Sequence, residues 1–201
     1  MNFLAHQYLS FNRESVMVGN FIADTITGSI STEYDTGVQL GIQIHRTIDT
    51  FTDAHPVVLE TRKLLYPYFG KYAAVVQDVY YDHFLAINWN HYSDSPLQPF
   101  VNHVYSVLNR HKDLMNDKAL RILHYMQLQD WLYNYKSLEG IDRALKGLSR
   151  RATFQSNMEK SLPALKANYE KLNAHFQSFF PDLENEISLL YSSDLSGLGE
   201  S

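Results

Sequence analysis

The sequence of 201 residues contains no cysteine. This absence excludes disulfide bonds, a thiolate nucleophile, iron–sulfur clusters and thiolate-bound zinc. Any metal ion must therefore be held by His, by carboxylate or amide side chains, or by backbone oxygen. Long apolar runs are also missing, since none approaches the roughly 20 residues that cross a bilayer. The first ten residues lack a basic segment and contain Asn2 and His6, unlike a signal peptide.

Positive charge is not in excess either. The formal net charge is −5, so nucleic acid and anionic membranes are not expected as partners. Hydrophobic residues make up 45% of the chain and charged residues 19%, the balance of a globular protein that buries a core without disulfide or metal cross-links. We therefore expect a cytoplasmic protein that has no membrane partner.

Helical periodicity dominates what is present, while alternating strand patterns flanked by turn residues are missing. The sequence predicts an all-α, single-domain helical bundle over residues 1–191, followed by a flexible tail at 192–201. A polar break at residues 94–99 separates helices in 1–90 from those in 100–191. Helices are expected at about 2–9, 15–28, 36–52, from Pro56, 67–89, 100–115, 118–135, 138–147, 153–179 (interrupted near Pro163) and 182–191.

Polar residues in the first half form five pairs at four-residue spacing. The pairs are Asn2/His6, Asn20/Asp24, His45/Asp49, Asp49/Asp53 and Asp78/Asp82. Residues four apart lie on the same face of a helix, so four predicted helices each present metal-binding side chains along one line. Many of their neighbours are apolar, and buried carboxylates without partners are unstable. Several carboxylates that meet histidines inside a helical bundle indicate a divalent cation.

Each pair taken alone also has a structural explanation. Asp53 is placed to cap the next helix, Arg46 to pair with Asp49 or Asp53, and Asp78 to lie in a partly exposed turn. The functional interpretation depends on the coincidence of such pairs on four helices.

Five segments, in order along the chain, resemble the acyl carrier protein phosphodiesterase family. They are MNFLAH (1–6), GNFIAD (19–24), GIQIHRTID (41–49), FTDAHP (51–56) and YDHFLA (81–86), with weaker similarity at QDWL (129–132) and LSRR (148–151). The family is related to HD-type phosphohydrolases, so the resemblance implies an HD-phosphohydrolase-like bundle. The adjacent pair here is Asp82–His83 instead of His–Asp, so the ligands are inferred as a group and not matched one by one.

The resemblance implies hydrolysis of 4′-phosphopantetheine from holo acyl carrier protein with a divalent metal, Mn²⁺ first and Mg²⁺ or Fe²⁺ as alternatives. The expected metal ligands are His6, Asp24, His45, Asp78 and Asp82. The expected catalytic residues are Asp49, His83, His55, Arg46 and Asn20.

Each catalytic role has a chemical basis. Asp49 would orient His45 or act as a general base, and His83 or His55 would protonate the departing serine oxygen. Arg46 would bind a phosphate oxygen.

Residues 136–171 supply a candidate surface for the acidic carrier protein. They hold eight basic and four acidic side chains in a chain whose net charge is −5, and such asymmetry steers an acidic partner. The surface would centre on Lys136, Arg143, Lys146, Arg150 and Arg151, although an ordinary solvated helix face accounts for the same charges.

Two other functions are compatible with the residues. One is an HD-type hydrolase of a nucleotide or another small phosphodiester. The other is a non-catalytic helical module that binds a partner, against which the complete set of candidate ligands argues.

Overall fold

The computed structural model describes the backbone of residues 1–197 and the side chains of residues 1–192. Over this range all regular structure is helical, which confirms the predicted all-α fold. The α-helices are α1 (Phe3–Tyr8), α2 (Glu14–Ile22), α3 (Thr36–Ala54), α4 (Pro56–Phe69), α5 (Ala73–Ile87), α6 (Leu97–Arg110), α7 (Asp117–Leu128), α8 (Trp131–Asn134), α9 (Leu138–Ser149), α10 (Ser161–Ala167) and α11 (Tyr169–Gly197). Within residues 1–197, no helix is both long enough and apolar enough to cross a membrane.

Some boundaries differ from those predicted. Pro67 lies in the last turn of α4 and does not start a helix, so that α5 begins only at Ala73. Asp130 has a left-handed backbone, with φ of 46°, and this residue separates α7 from α8 where the periodicity predicts one helix. In the predicted helix 153–179, regular α-structure starts at Ser161 and is interrupted near Asn168.

The last helix, α11, continues through Pro181, where the sequence predicts a break. A proline inside a helix costs about 3 kcal/mol because it removes a hydrogen bond and crowds the preceding turn. Phe179, Phe180, Leu183 and Ile187 are buried on both sides of it, and this apolar packing offsets the penalty. The helix also covers residues 192–197 of the predicted flexible tail, and residues 198–201 lie outside the described residues.

The core is centred on aromatic contacts between α5 and α11. Tyr81 and Phe84 of α5 meet Phe176 with ring centroids 5.6 and 6.2 Å apart, and all three side chains are buried. Because α11 also contacts α3 and α4, this cluster ties the site-bearing first half to the end of the chain.

The helices α2 and α3 touch through their backbones. A Cβ atom at Gly19 would collide with the carbonyl oxygen of Val38, and one at Gly41 with the carbonyl oxygen of Val16. Two glycines therefore allow these helices to approach more closely than side chains would permit.

The length of α3 is fixed by signals at both ends. Asp35 caps its start by accepting a hydrogen bond from the backbone N–H of Val38 at 2.9 Å. Pro56 disfavours helical backbone at His55, which is extended, so α3 ends at Ala54. The nineteen residues between these signals carry His45 and Asp49 in the half of the helix that follows the glycine contact.

We expect Gly41→Ala to lower the free energy of unfolding by about 1–3 kcal/mol, because the new methyl group forces α2 and α3 apart. Chemical denaturation measures the change. Gly147→Ala on α9 is the matched control, since its Cβ would meet no described atom within 4 Å and should stabilise the helix by up to about 1 kcal/mol. Equal stability of the two variants would contradict the close contact.

Candidate metal centre

The site is built around Asn20 on α2 and His45 on α3. Nδ1 of His45 lies 2.9 Å from the backbone oxygen of Asn20 and 3.1 Å from its Oδ1. Because a carbonyl oxygen only accepts hydrogen bonds, Nδ1 of His45 carries the hydrogen. The other ring nitrogen, Nε2, keeps a free lone pair whenever the imidazole is neutral.

Asn20 holds His6, on α1, in the same tautomer. The side-chain nitrogen of Asn20 donates to the backbone oxygen of His6 at 2.8 Å and to Oγ of Ser10 at 3.1 Å, so its Oδ1 is the acceptor that faces the ring. Nδ1 of His6 donates to this oxygen at 2.9 Å. The two imidazoles are buried, with ring centroids 4.2 Å apart. One asparagine therefore orients both rings.

Both Nε2 atoms face carboxylate oxygens. Nε2 of His45 lies 3.3 Å from Oδ1 of Asp24 and 3.3 Å from Oδ2 of Asp49, and Nε2 of His6 lies 3.4 Å from Oδ1 of Asp49. The side chains of Asp24 and Asp49 are 55% and 48% exposed, whereas those of His6 and His45 are below 10%. The imidazoles thus form the floor of the site and the carboxylates its open side.

Without a cation, the group retains a proton on His45. Burial lowers the pKa of His45, but Asp24 and Asp49 outweigh burial and raise this pKa to about 9. Burial, followed by the charge of His45, lowers the pKa of His6, so this ring is neutral near pH 7. Burial raises the pKa of Asp49, but its contacts with the two histidines outweigh burial and lower it. A lone pair of His6 then faces an ionised oxygen of Asp49, which is unfavourable.

A metal ion would remove this opposition of electron-rich atoms. Three possible ligand atoms, one each from His6, His45 and Asp49, lie within 4.8 Å of one another. This spacing would allow a single ion to contact all three. Metal-binding histidines usually donate their second ring N–H to a fixed acceptor, as both rings do here to Asn20. The donors and their orientation fit a metal centre, with Asp24 beside it as a further carboxylate.

A cavity of about 380 Å³ opens over this group. Of the remaining predicted ligands, Asp78 lines the cavity and accepts a hydrogen bond from the Met1 amino group at 2.8 Å. Asp82 is fully buried, and its two oxygens accept from the backbone N–H groups of Asn2, Leu4 and Ala5 at 3.2, 2.7 and 3.3 Å. These bonds fix the start of α1, so Asp82 positions the helix of His6 and does not join the convergent group.

The two histidines predicted as proton donors lie in other surroundings. Nδ1 of His83 donates to the backbone oxygen of Tyr135 at 2.7 Å, and its Nε2 is 2.9 Å from the hydroxyl of Tyr169. Burial lowers the pKa of His83, so the ring is neutral near pH 7. His55 caps α4 and places its Nε2 3.2 Å from Oδ2 of Asp182. Both rings are engaged in linking helices, outside the set of residues that lines the cavity.

The arginine that lines the cavity is Arg62, not the predicted Arg46. Arg46 donates to the backbone oxygen of Gly28 at 2.8 Å. Arg62, on α4, donates to Oδ1 of Asp53 at 2.6 Å and to Oε1 of Gln77 at 3.2 Å. The pairing of Asp53 with Arg62 crosses the turn between α3 and α4, and its nine-residue spacing gives no helical pattern. The sequence alone therefore does not indicate this ion pair.

We expect Asn20→Ala to lower the affinity for Mn²⁺ about 10–100-fold, because both imidazoles lose the acceptor that fixes their tautomer. Isothermal titration calorimetry at constant pH measures this affinity. Asn109→Ala is the matched control, since among the described residues the Asn109 side chain bonds only to the Tyr105 backbone oxygen of its own helix. Wild-type affinity in Asn20→Ala would disprove the orienting role of this amide.

Comparison with known proteins points to a single family. The family model described as acyl carrier protein phosphodiesterase matches residues 1–183. An acyl carrier protein phosphodiesterase of Photorhabdus laumondii is 32% identical over 182 residues, 90% of this chain and 92% of that protein. Those of Salmonella agona and Salmonella newport are each 33% identical over 185 residues, 90% of this chain and 94% of theirs. No solved structure matches. The chain belongs to the acyl carrier protein phosphodiesterase family.

Proposed function

We propose that this protein is a metal-dependent phosphodiesterase that removes 4′-phosphopantetheine from holo acyl carrier protein and releases the apo protein. The names of its relatives support a phosphodiesterase whose substrate is the carrier protein. The observation that carries the metal dependence is the pair of imidazoles locked by Asn20, whose Nε2 atoms face Asp24 and Asp49. Such a substrate also implies action in the cytoplasm.

His6, His45 and Asp49 would hold the ion, with Asp24 as a fourth donor. Asp49 thereby changes from the expected general base to a ligand, because its two oxygens reach both imidazoles. Two nitrogen and several carboxylate donors without sulfur suit Mn²⁺, and also Mg²⁺ or Fe²⁺. When bound, the ion supplies a water of lowered pKa and neutralises charge on the phosphoryl oxygens.

The reaction forms a bond between a water oxygen and phosphorus and breaks the bond between phosphorus and the serine oxygen. The proton lost by water is balanced by the proton that the serine oxygen gains. Arg62 is the arginine of the cavity wall, and its guanidinium would bind a phosphoryl oxygen. Its bonds to Asp53 and Gln77 hold the guanidinium in one orientation. The phosphodiester would therefore lie between Arg62 and the metal centre.

The basic surface of α9 would receive the acidic carrier protein. Arg143, Lys146 and Arg150 are exposed on or at the end of α9, and Lys146 is paired with Asp142 at 2.6 Å. Lys136 stacks its ammonium over the ring of Tyr133 at 3.5 Å. Helix α9 also contributes Leu148 to the wall of the metal cavity. A partner bound there would present its prosthetic group close to the proposed metal.

The proposed activity is tested by incubating holo carrier protein with the enzyme and Mn²⁺ and reading the loss of the prosthetic group by mass spectrometry. His45→Ala and Asp49→Ala should lower kcat by more than about 100-fold, because the donor set is broken. His124→Ala, at an exposed histidine, is the control, and circular dichroism checks the fold.

Parallel assays with cyclic and linear nucleotides separate the rival substrate. Turnover of nucleotides without turnover of holo carrier protein would replace the proposed substrate. Full activity in both variants, or in the presence of a chelator, would exclude the metal mechanism. Absence of bound metal and of any turnover would favour the non-catalytic module.

Charge reversal tests the docking surface. We expect Arg150→Glu to raise KM for holo carrier protein about tenfold with little change in kcat, because it repels an acidic partner before the chemistry begins. Steady-state kinetics at low salt give both constants, and moderate salt should reduce the difference. Lys112→Glu makes the same charge change on the connection between α6 and α7. Equal KM values for the two variants would place docking elsewhere.

A further inference from the structure

A second cavity, of about 290 Å³, adjoins the metal cavity. Asn2, Phe3, Asp24 and Leu148 line both cavities. The two spaces are therefore neighbours that share one wall, and Asp24 stands at the boundary. A molecule that is cleaved at the metal centre has the second cavity directly beside its scissile bond.

The walls of this second cavity are mainly apolar. Phe3, Ile122, Trp131 and Leu148 line it and are only partly buried, so they keep exposed apolar surface. Phe3 and Trp131 contact each other, with ring centroids 6.1 Å apart. Apolar walls with a few polar groups are typical of small-molecule sites, which orient a ligand through those groups. Gln129 is one such group here, with an amide at the wall.

One edge of this cavity is formed by two arginines and a glycine. These residues lie in the last two turns of α9 or directly after the helix. Arg143 and Gly147 lie one helical turn apart on the same face of α9. Arg151 follows the end of the helix, and its Nε donates to the backbone oxygen of Gly147 at 3.3 Å. A Cβ atom on Gly147 would have no described neighbour within 4 Å, so the absence of a side chain leaves open space at this edge of the cavity. Within the described side chains, neither arginine forms an ion pair with a carboxylate.

We propose that this second cavity binds the pantetheine arm of the substrate, which rests on the function proposed above. The arm is an uncharged chain with two amides and a terminal thiol, and it extends away from the scissile phosphate. Such a chain needs apolar walls, a few hydrogen-bonding groups and direct continuity with the metal centre. Arg143 and Arg151, which have no carboxylate partner within the described side chains, complement the charge of the phosphate and of the acidic carrier protein. The cavity thereby determines which phosphodiesters are cleaved.

Filling the open space at Gly147 tests this assignment. Gly147→Ala, Gly147→Leu and Gly147→Trp place increasing volume at this edge of the cavity without contacting the metal group. We expect kcat/KM for holo carrier protein to fall progressively, by about tenfold in Gly147→Leu and about 100-fold in Gly147→Trp. Mn²⁺ affinity should stay at the wild-type value, and thermal stability should not fall below that of the wild type. Glu139→Trp, at an exposed position in the first turn of α9, controls for an added tryptophan and should retain wild-type kcat/KM.

A binding measurement without catalysis complements the kinetics and stays informative if a Gly147 variant misfolds. Trp131 lines the cavity, whereas the other tryptophan, Trp89, lines a different one. Free pantetheine should therefore change the intrinsic fluorescence saturably, and Trp131→Phe should lose most of this change.

The outcomes distinguish the two proposals. Failure of the wild type to release the prosthetic group overturns the proposed function. Normal release by the wild type, together with undiminished kcat/KM in folded Gly147→Trp, overturns only the arm site. Absence of a saturable fluorescence change with pantetheine also overturns the arm site.

Discussion

The contact between the backbones of α2 and α3 is the constraint on which the site depends. Gly19 and Gly41 let the two helices touch, and the next residue after the first glycine is Asn20. His45 follows the second glycine by one helical turn, so its ring meets the Asn20 carbonyl at 2.9 Å. Side chains at either glycine would separate the helices and remove this bond. The geometry of the site thus depends on two residues, both glycines, that have no side chain.

From this contact follows an electrostatic arrangement that is unfavourable on its own. Asn20 turns Nε2 of both imidazoles toward carboxylate oxygens, and burial keeps His6 neutral, so a lone pair of His6 faces Asp49. The fold tolerates the arrangement because the packing of α11 against α3, α4 and α5, which includes aromatic contacts to α3 and α5, fixes the helices. The metal-free protein therefore contains an unfavourable contact that lowers its stability. A bound cation would relieve this contact and stabilise the fold.

The sequence predicted the all-α fold and singled out His6, Asp24 and His45, which lie together in the structure, because helical periodicity is visible in a sequence. The i, i+4 spacing of His45 and Asp49 placed them on one face, as the structure has them. It could not separate Asp82 from the ligands, because a carboxylate that caps a helix end and one that binds metal share the same spacing. Arg62 gave no signal, since its partners lie on other parts of the chain. The passage of α11 through Pro181 likewise depends on buried neighbours that local propensity does not record.

The role of Asp82 has a consequence for how mutants of this protein are interpreted. Its carboxylate anchors the short α1 through three backbone N–H groups, and α1 delivers His6. Loss of that anchor would free His6 without changing any of the proposed metal ligands. An Asp82 variant would therefore lose both activity and metal affinity, as a variant of a proposed ligand would. Only the loss of the anchor would also loosen α1 in the metal-free protein, and this difference separates the two roles.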